Sequence, residues 1–164
     1  MAVAEGVDAN VAADEARRVL AANAYLTLAT ADADGHPWAT PVWFATRDLR
    51  DFVWVSRPGA KHSRNIAATP AVGIVVFDSA VPVGEASAVY VEAVAEEVGP
   101  DDRPDGLAAF NKRAQEQGID TWDERKVVGA SQFRLFRARA TRLFVLDEHD
   151  GRVEVGGKAI LSGM

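Results

Sequence analysis

Hydrophobic and polar residues alternate along most of the chain, and the period of the alternation changes at a few points. The first stretch has the helical period. Val11, Leu20 and Ala24 can share one apolar side, Asp14 and Glu15 stand early, and Arg17 and Arg18 follow. This predicts a helix over 11–24 with acidic residues in its first turn, matched to the helix dipole. The period then falls to two. YLTLAT (25–30) reads as a strand, ADADGH (31–36) as a turn around the Asp34-Gly35 hairpin signal, and PWATPVWFAT (37–46) as one returning strand. TRDLRD is a second polar turn and FVWVS (52–56) a third strand, so the opening reads as a β-meander.

Arg57-Pro58-Gly59 breaks that strand. AKHSRNIAAT (60–69) reads as a short helix stopped at Pro70, and AVGIVVFDS (71–79) as an apolar strand buried on both faces. Residues 80–86 form a loop, and SAVYVEAVAEEV (87–98) a long strand. GPDDRPDG reads as a loop, 107–117 as a helix, 118–131 as irregular or partly helical, and 132–148 as one or two strands. The stretch 150–164 reads as a weakly ordered tail with room for a last strand at 152–155. Many strands with few, short helices predict a mainly β fold, with an antiparallel sheet closed or nearly closed on itself. A parallel α/β fold is excluded because the first three strands have no helices between them. With no repeat and no linker, residues 1–164 read as one domain.

Composition narrows the function. Of the 164 residues 48% are hydrophobic, which suits a packed core. No apolar run is long enough to span a bilayer, and the N-terminus does not read as a signal peptide. There is no cysteine, so disulfides, thiolate metal sites and cysteine nucleophiles are excluded, and a cytoplasmic location is the default expectation. The net charge of -6 argues against nucleic acid as a partner. Charge is uneven, however. From Ser56 to Phe77 there is no acidic residue, while Arg57, Lys61, His62 and Arg64 stand close together. A basic island in an acidic chain suits either a local anionic ligand or an ordinary solvated face.

The segment FVWVSRPGAKHSRNI favours the ligand. A strand runs through a glycine-containing break into a helix, whose start offers unpaired N–H groups and the positive end of its dipole. Ser56, Lys61, His62 and Arg64 supply a hydroxyl and cations of the kind that hold a phosphate. In ATPVWF (39–44), Pro41 marks an edge, a bulge or a ligand-facing point. The backbone of Val42 and Trp43 could then lie against a planar ring. The side chains of Trp38, Trp43, Phe44 and Trp54 read as barrel core. His36, His62 and His149 lack metal-ligand spacing, and the serines lack a GxSxG setting, so neither a metal site nor a hydrolase is expected. Glu92, Glu96 and Glu97 read as a solvated strand face.

The order YLTLAT, HPWATPVWF, FVWVS, AKHSRNIAATPAVGIVVFD resembles the pyridoxamine-phosphate-oxidase-like FMN-binding split β-barrel superfamily, from about Tyr25 to Leu146. The most specific part runs from Ser56 through Lys61, Asn65, Ile66, Pro70 and Val72. The resemblance implies a homodimer with FMN between the subunits, acting as an oxidoreductase by hydride transfer through the flavin on a small-molecule substrate. It implies that Val42 and Trp43 lie along the isoalloxazine ring and that Val55 and Ser56 lie near the ribityl-phosphate. Lys61 and His62 stand at the usual phosphate-ligand positions, with Arg64 or Asn65 assisting. Ala88 stands where many members carry a glutamine, and the closing GRVEVGGKAILSGM lacks the tryptophan of true pyridoxamine-phosphate oxidases, so that activity is not expected. Two other readings share the groove: a deazaflavin-dependent reductase, and a non-enzymatic flavin or haem module with His62 or His149 as the iron ligand.

Overall fold

The computed structural model describes residues 9–156; the last part of the expected tail, 157–164, lies outside them. The chain runs α1 (Ala9–Ala22), β1 (Tyr25–Ala31), β2 (Pro37–Trp43), β3 (Ala45–Arg47), β4 (Asp51–Ser56), α2 (Lys61–Ala68), β5 (Ala71–Phe77) and β6 (Ala88–Glu97). It continues through α3 (Arg103–Glu116), a 3₁₀ turn (Glu124–Val127), β7 (Arg134–Leu146) and β8 (Arg152–Glu154). All pairings are antiparallel, in the order β2-β1-β5-β6-β7-β4-β3, with β8 added to β7. The expected mainly β, antiparallel split-barrel class is what the chain adopts.

Alternation explains the inner face. In β1 Leu26, Leu28 and Thr30 are buried while Tyr25 and Ala29 face out. Leu26 and Leu28 join Trp54, Phe52, Val76, Val89 and Leu143 in the main core. Ala12, Ala16, Val19 and Leu20 of α1 complete that core, and α1 sends Arg17 and Arg18 outward to pair with Asp14 and Glu15. A second, smaller core holds Val53, Leu135, Val98, Leu107 and Phe110 between the other face of the sheet and α3. α3 comes close to β7 at Gly106, where a Cβ would lie 2.8 Å from the Leu135 side chain. β7 is the spine. Its first half pairs with β4, its last residues pair with β8, and β6 runs along both, with one irregularity at Glu92/Ala93 where Thr141 donates to the Glu92 carbonyl.

Several expectations are corrected. The first helix starts at Ala9, so Asp14 and Glu15 fall in its second turn. Residues 37–46 are two strands: the chain leaves β2 at Phe44, whose buried ring plugs the core, and enters β3 at the far end of the sheet. The meander is therefore two hairpins separated by the split. In the β3–β4 turn Asp48 and Leu49 both take positive φ, and the buried Leu49 side chain offsets that strain. β5 is buried on one face, not two; Gly73 and Val75 face outward half-covered. α3 begins at Arg103, because Pro104 in a first turn needs no N–H partner.

Candidate functional site

β4 ends at Ser56, and Arg57-Pro58-Gly59-Ala60 turns the chain into α2, with the Ala60 N–H bonded to the Arg57 carbonyl at 3.0 Å. Alanine at the cap position offers no side-chain acceptor, and the start of α2 carries no side-chain cap. Its first N–H groups are therefore open to an anion. Ser56 Oγ and His62 Nε2 lie 2.8 Å apart across the turn, and burial pushes the half-buried His62 imidazole below its usual pKa. Lys61 Nζ sits 4.7 Å over the ring of Trp38, while Arg57 lies over Phe133 at 5.3 Å. Arg64 folds back to the Gly59 carbonyl. Among the described residues none of Arg57, Lys61 and Arg64 is paired with a carboxylate.

Asn65 points the other way. It is buried and donates to Thr30 Oγ1 at 3.0 Å, and Thr30 in turn donates to the Trp38 carbonyl at 3.4 Å. This thread ties α2 to β1 and β2, and so sets where Lys61 stands. Val42 is buried in the main core. Trp43 packs edge-on against Phe110 at 4.8 Å and donates its Nε1 to Gln117 at 2.6 Å, so its side chain belongs to the α3 side. Val55 is half-buried beside the same α3 cluster. The structure thus brings Ser56 and His62 together, while Lys61, at the start of the same helix, turns to Trp38. Val42 and Trp43 lie in β2 and Val55 in β4.

Trp38 was read as core, but it is 43% exposed, unlike Trp54 and Phe44. Pro37, Ala39 and Pro41 are exposed too, so β2 is an apolar edge strand left open. The outer sheet face holds a groove of about 310 Å³ formed by Thr27, Ala29, Gly73, Val75, Tyr90 and Phe144. A larger hollow of about 900 Å³ lies between α1, the 83–87 loop and the β7–β8 turn; none of the sequence-expected site residues lines it. Asp32, Asp34 and His36 cluster at the β1–β2 turn, where Asp32 already accepts the N–H groups of Asp34 and His36.

The pyridoxamine 5'-phosphate oxidase family model matches residues 12–147. The chain belongs to this family. No curated protein matches it. Among solved structures, a haem-binding protein from Mycobacterium smegmatis is similar at 25% identity and a TM-score of 0.71, covering 92% of this chain. The chain spans 60% of that protein's length. HutZ, the haem storage protein from Vibrio cholerae, superposes at 24% identity and a TM-score of 0.61, over 80% of this chain and 92% of its own. An F420 reductase superposes at 23% identity and a TM-score of 0.56, over 77% and 94%. The last two likenesses carry the family's split-barrel fold. No helix among the described residues is long and apolar enough to cross a membrane.

Proposed function

We propose that this member of the family is a cytoplasmic FMN-binding oxidoreductase. The observation that carries the reading is the uncapped start of α2, with the carboxylate-free Lys61 above Trp38 and the Ser56–His62 pair across the β4–α2 turn. A hydroxyl, open N–H groups and an unspent ammonium fit a phosphate monoester. In this reading Lys61 neutralises the phosphate, Ser56 and His62 orient it, Arg64 adds charge, and Asn65 holds the helix from within. The backbone of Val42, Trp43 and Val55 borders the ring. When bound, the flavin supplies hydride transfer; the protein supplies binding, orientation and exclusion of water. Pyridoxamine phosphate is not the substrate proposed, since Arg152, the arginine of the closing stretch, is engaged over the Tyr90 ring and with Asp150.

The protein works as a homodimer in this reading. Phe77, Val94 and Tyr25 stand exposed on the outer face of β5, β6 and β1, around the apolar groove. An apolar face of this kind calls for cover by a second copy. Light scattering with FMN present checks it, and a monomer mass at micromolar concentration counts against it.

Similarity to the Mycobacterium smegmatis haem-binding protein over most of this chain supports a second reading, a non-enzymatic haem module. His62 or the exposed His149 would then ligate the iron. The absorption spectrum of protein purified without added cofactor separates the readings. Flavin bands support FMN, and a Soret band supports haem. A colourless protein that still binds a deazaflavin but not FMN supports the deazaflavin alternative.

A further inference from the structure

β8 stops because its edge runs out. Arg152, Val153 and Glu154 pair with Leu146, Val145 and Phe144 of β7, and the Val155 N–H reaches the Leu143 carbonyl at 2.9 Å. Farther back along β7 the same edge belongs to β4, which starts with Asp51 opposite Arg139, and the Ala140 N–H goes to the Arg50 carbonyl. The chain must leave the sheet soon after Val155, and Gly156-Gly157 stand there, free to turn. Arg152 and Glu154 face outward, over Tyr90 and against Arg142, so Val153 and Val155 face the α1 side. Val155 is fully buried with Ala12 in the main core.

On that side lies the hollow of about 900 Å³. Its apolar lining includes Val11, Val83, Leu146 and Val153, and Val11 and Val83 stand exposed, Val83 completely. Its charged lining is Glu15, Glu85, Asp147, Glu148 and Asp150, with no lysine, arginine or histidine among the described residues. Glu15 is spent on Arg18, Asp150 on Arg152, and Asp147 on N–H groups of its own turn. Glu85 has no partner among the described residues. An apolar concavity with acidic walls fits an apolar segment that carries a cation. Residues 158–164, KAILSGM, have that chemistry, with Lys158 their one charged side chain; residues 1–8 carry Glu5 and Asp8 and no lysine or arginine. Four or five extended residues beyond Gly156 cover about 13–17 Å, enough to bring Ile160 and Leu161 back past Val153. We propose that residues 158–164 turn back from the end of β8 into this hollow, with Ile160 and Leu161 against Val11, Val83 and Val153, and Lys158 toward Glu85. The segment covers apolar surface that α1 and the 83–87 loop leave open, and it closes the hollow to other ligands.

The chain has no cysteine, so an introduced pair reports proximity without background. The test places Val83→Cys with Leu161→Cys, or with Ile160→Cys, in the full chain and oxidises the dilute protein with glutathione disulfide. In the control Ile119→Cys takes the place of Val83→Cys. Ile119 is exposed and follows α3, whose Arg113 meets the far end of α1 at the Ala21 carbonyl, away from Val11. Thermal melts of the reduced proteins verify the fold. The expected result is a bridge within single chains, read from the mass under non-reducing conditions, that forms about tenfold or more faster than in the control. Lys158→Glu, which sets like charge beside Glu85, should slow that bridge by about threefold, the worth of an exposed ion pair. Rates equal to the control overturn the docking. Bridges between two chains overturn it too, and assign the hollow to the same segment of a second copy. A rate unchanged by Lys158→Glu overturns the pairing of Lys158 with Glu85.

Discussion

On the α3 side of the sheet three strand arginines are matched with carboxylates. Arg137, with only 6% of its side chain exposed, reaches Glu96 at 2.8 Å and Asp102 at 2.7 Å. Arg139 shares Asp102 at 3.3 Å, and Arg47 pairs with the buried Asp51 at 2.6 Å. On the α2 side, in the same acidic chain, Arg57, Lys61 and Arg64 have no carboxylate partner among the described residues. The first network ties β3, β4, β6 and β7 to the start of α3 and is consumed in doing so. The second is held by aromatic rings and a backbone carbonyl, which position a cation without neutralising it. The contrast separates charges neutralised inside the protein from charges left without a carboxylate, which the FMN reading assigns to a phosphate.

The largest effect belongs to the matched side. Arg137→Ala removes the buried partner of two carboxylates and should cost about 3 kcal/mol, the low end for a broken buried pair, because Glu96 and Asp102 are half exposed and rehydrate. Urea unfolding measures it. A loss below about 0.5 kcal/mol, typical of a surface site, would erase the distinction between the two sides. The network also has a pH signature. The hydrogen bond and charge of Arg137 hold the Asp102 carboxyl below the usual carboxylate range. A carboxylate with a depressed folded pKa contributes stability above its unfolded value, and that share is lost as pH falls through the folded one. Wild type should therefore lose more stability than Arg137→Ala below about pH 4.

How much of this the sequence could reveal depends on the range of the forces involved. β1, β4, β6 and α2 were legible because local alternation marks them: Leu26, Leu28 and Thr30 turn inward as their spacing says. The basic island was legible as composition. The break at Phe44 was not, since Trp43-Phe44-Ala45 stays apolar throughout, and the separation of β2 from β3 is decided by pairing with β1 and β4, residues distant in the chain. Trp38 was misread for a related reason. An indole on an open edge strand has the same local pattern as one in a core, and only the sheet order reveals that β2 has no neighbour on its far side. Arg57 on Phe133 and the thread from Asn65 to Thr30 are contacts across the fold and carry no local signal.

The second effect, in order of size, is on binding and leaves stability alone. Lys61→Ala should leave the urea midpoint unchanged and weaken FMN by about ten- to a hundredfold, the worth of a charge-assisted phosphate contact at about 1.5–3 kcal/mol. Riboflavin, which lacks the phosphate, should bind wild type and variant alike. Rising salt should shrink the FMN difference, because Lys61 is exposed. Equal FMN affinity in both proteins would make Lys61 one more solvated surface charge.

The smallest effect is carried by His62 and depends on pH. Burial lowers its pKa, so the folded protein favours the neutral ring. For stability the sign is fixed: the contribution is complete above the unfolded value of about 6.5 and is lost as pH falls through the folded value, because the unfolded chain then binds the extra proton. For ligand binding the sign reverses. A phosphate beside His62 favours the imidazolium, so the complex binds more protons than the free protein and FMN affinity should rise as pH falls from about 7.5 toward 6. Each half unit by which the anion raises the imidazole corresponds to about threefold in affinity. The phosphate itself takes up a proton near pH 6, which weakens its attraction to Lys61 and opposes the trend. His62→Gln retains a hydrogen-bonding group near Ser56 and the phosphate's own titration but loses the imidazole. The difference between the wild-type and His62→Gln profiles therefore isolates the ring. Parallel profiles, offset but with the same slope, would remove His62 from the phosphate site and leave it as a partner of Ser56 alone.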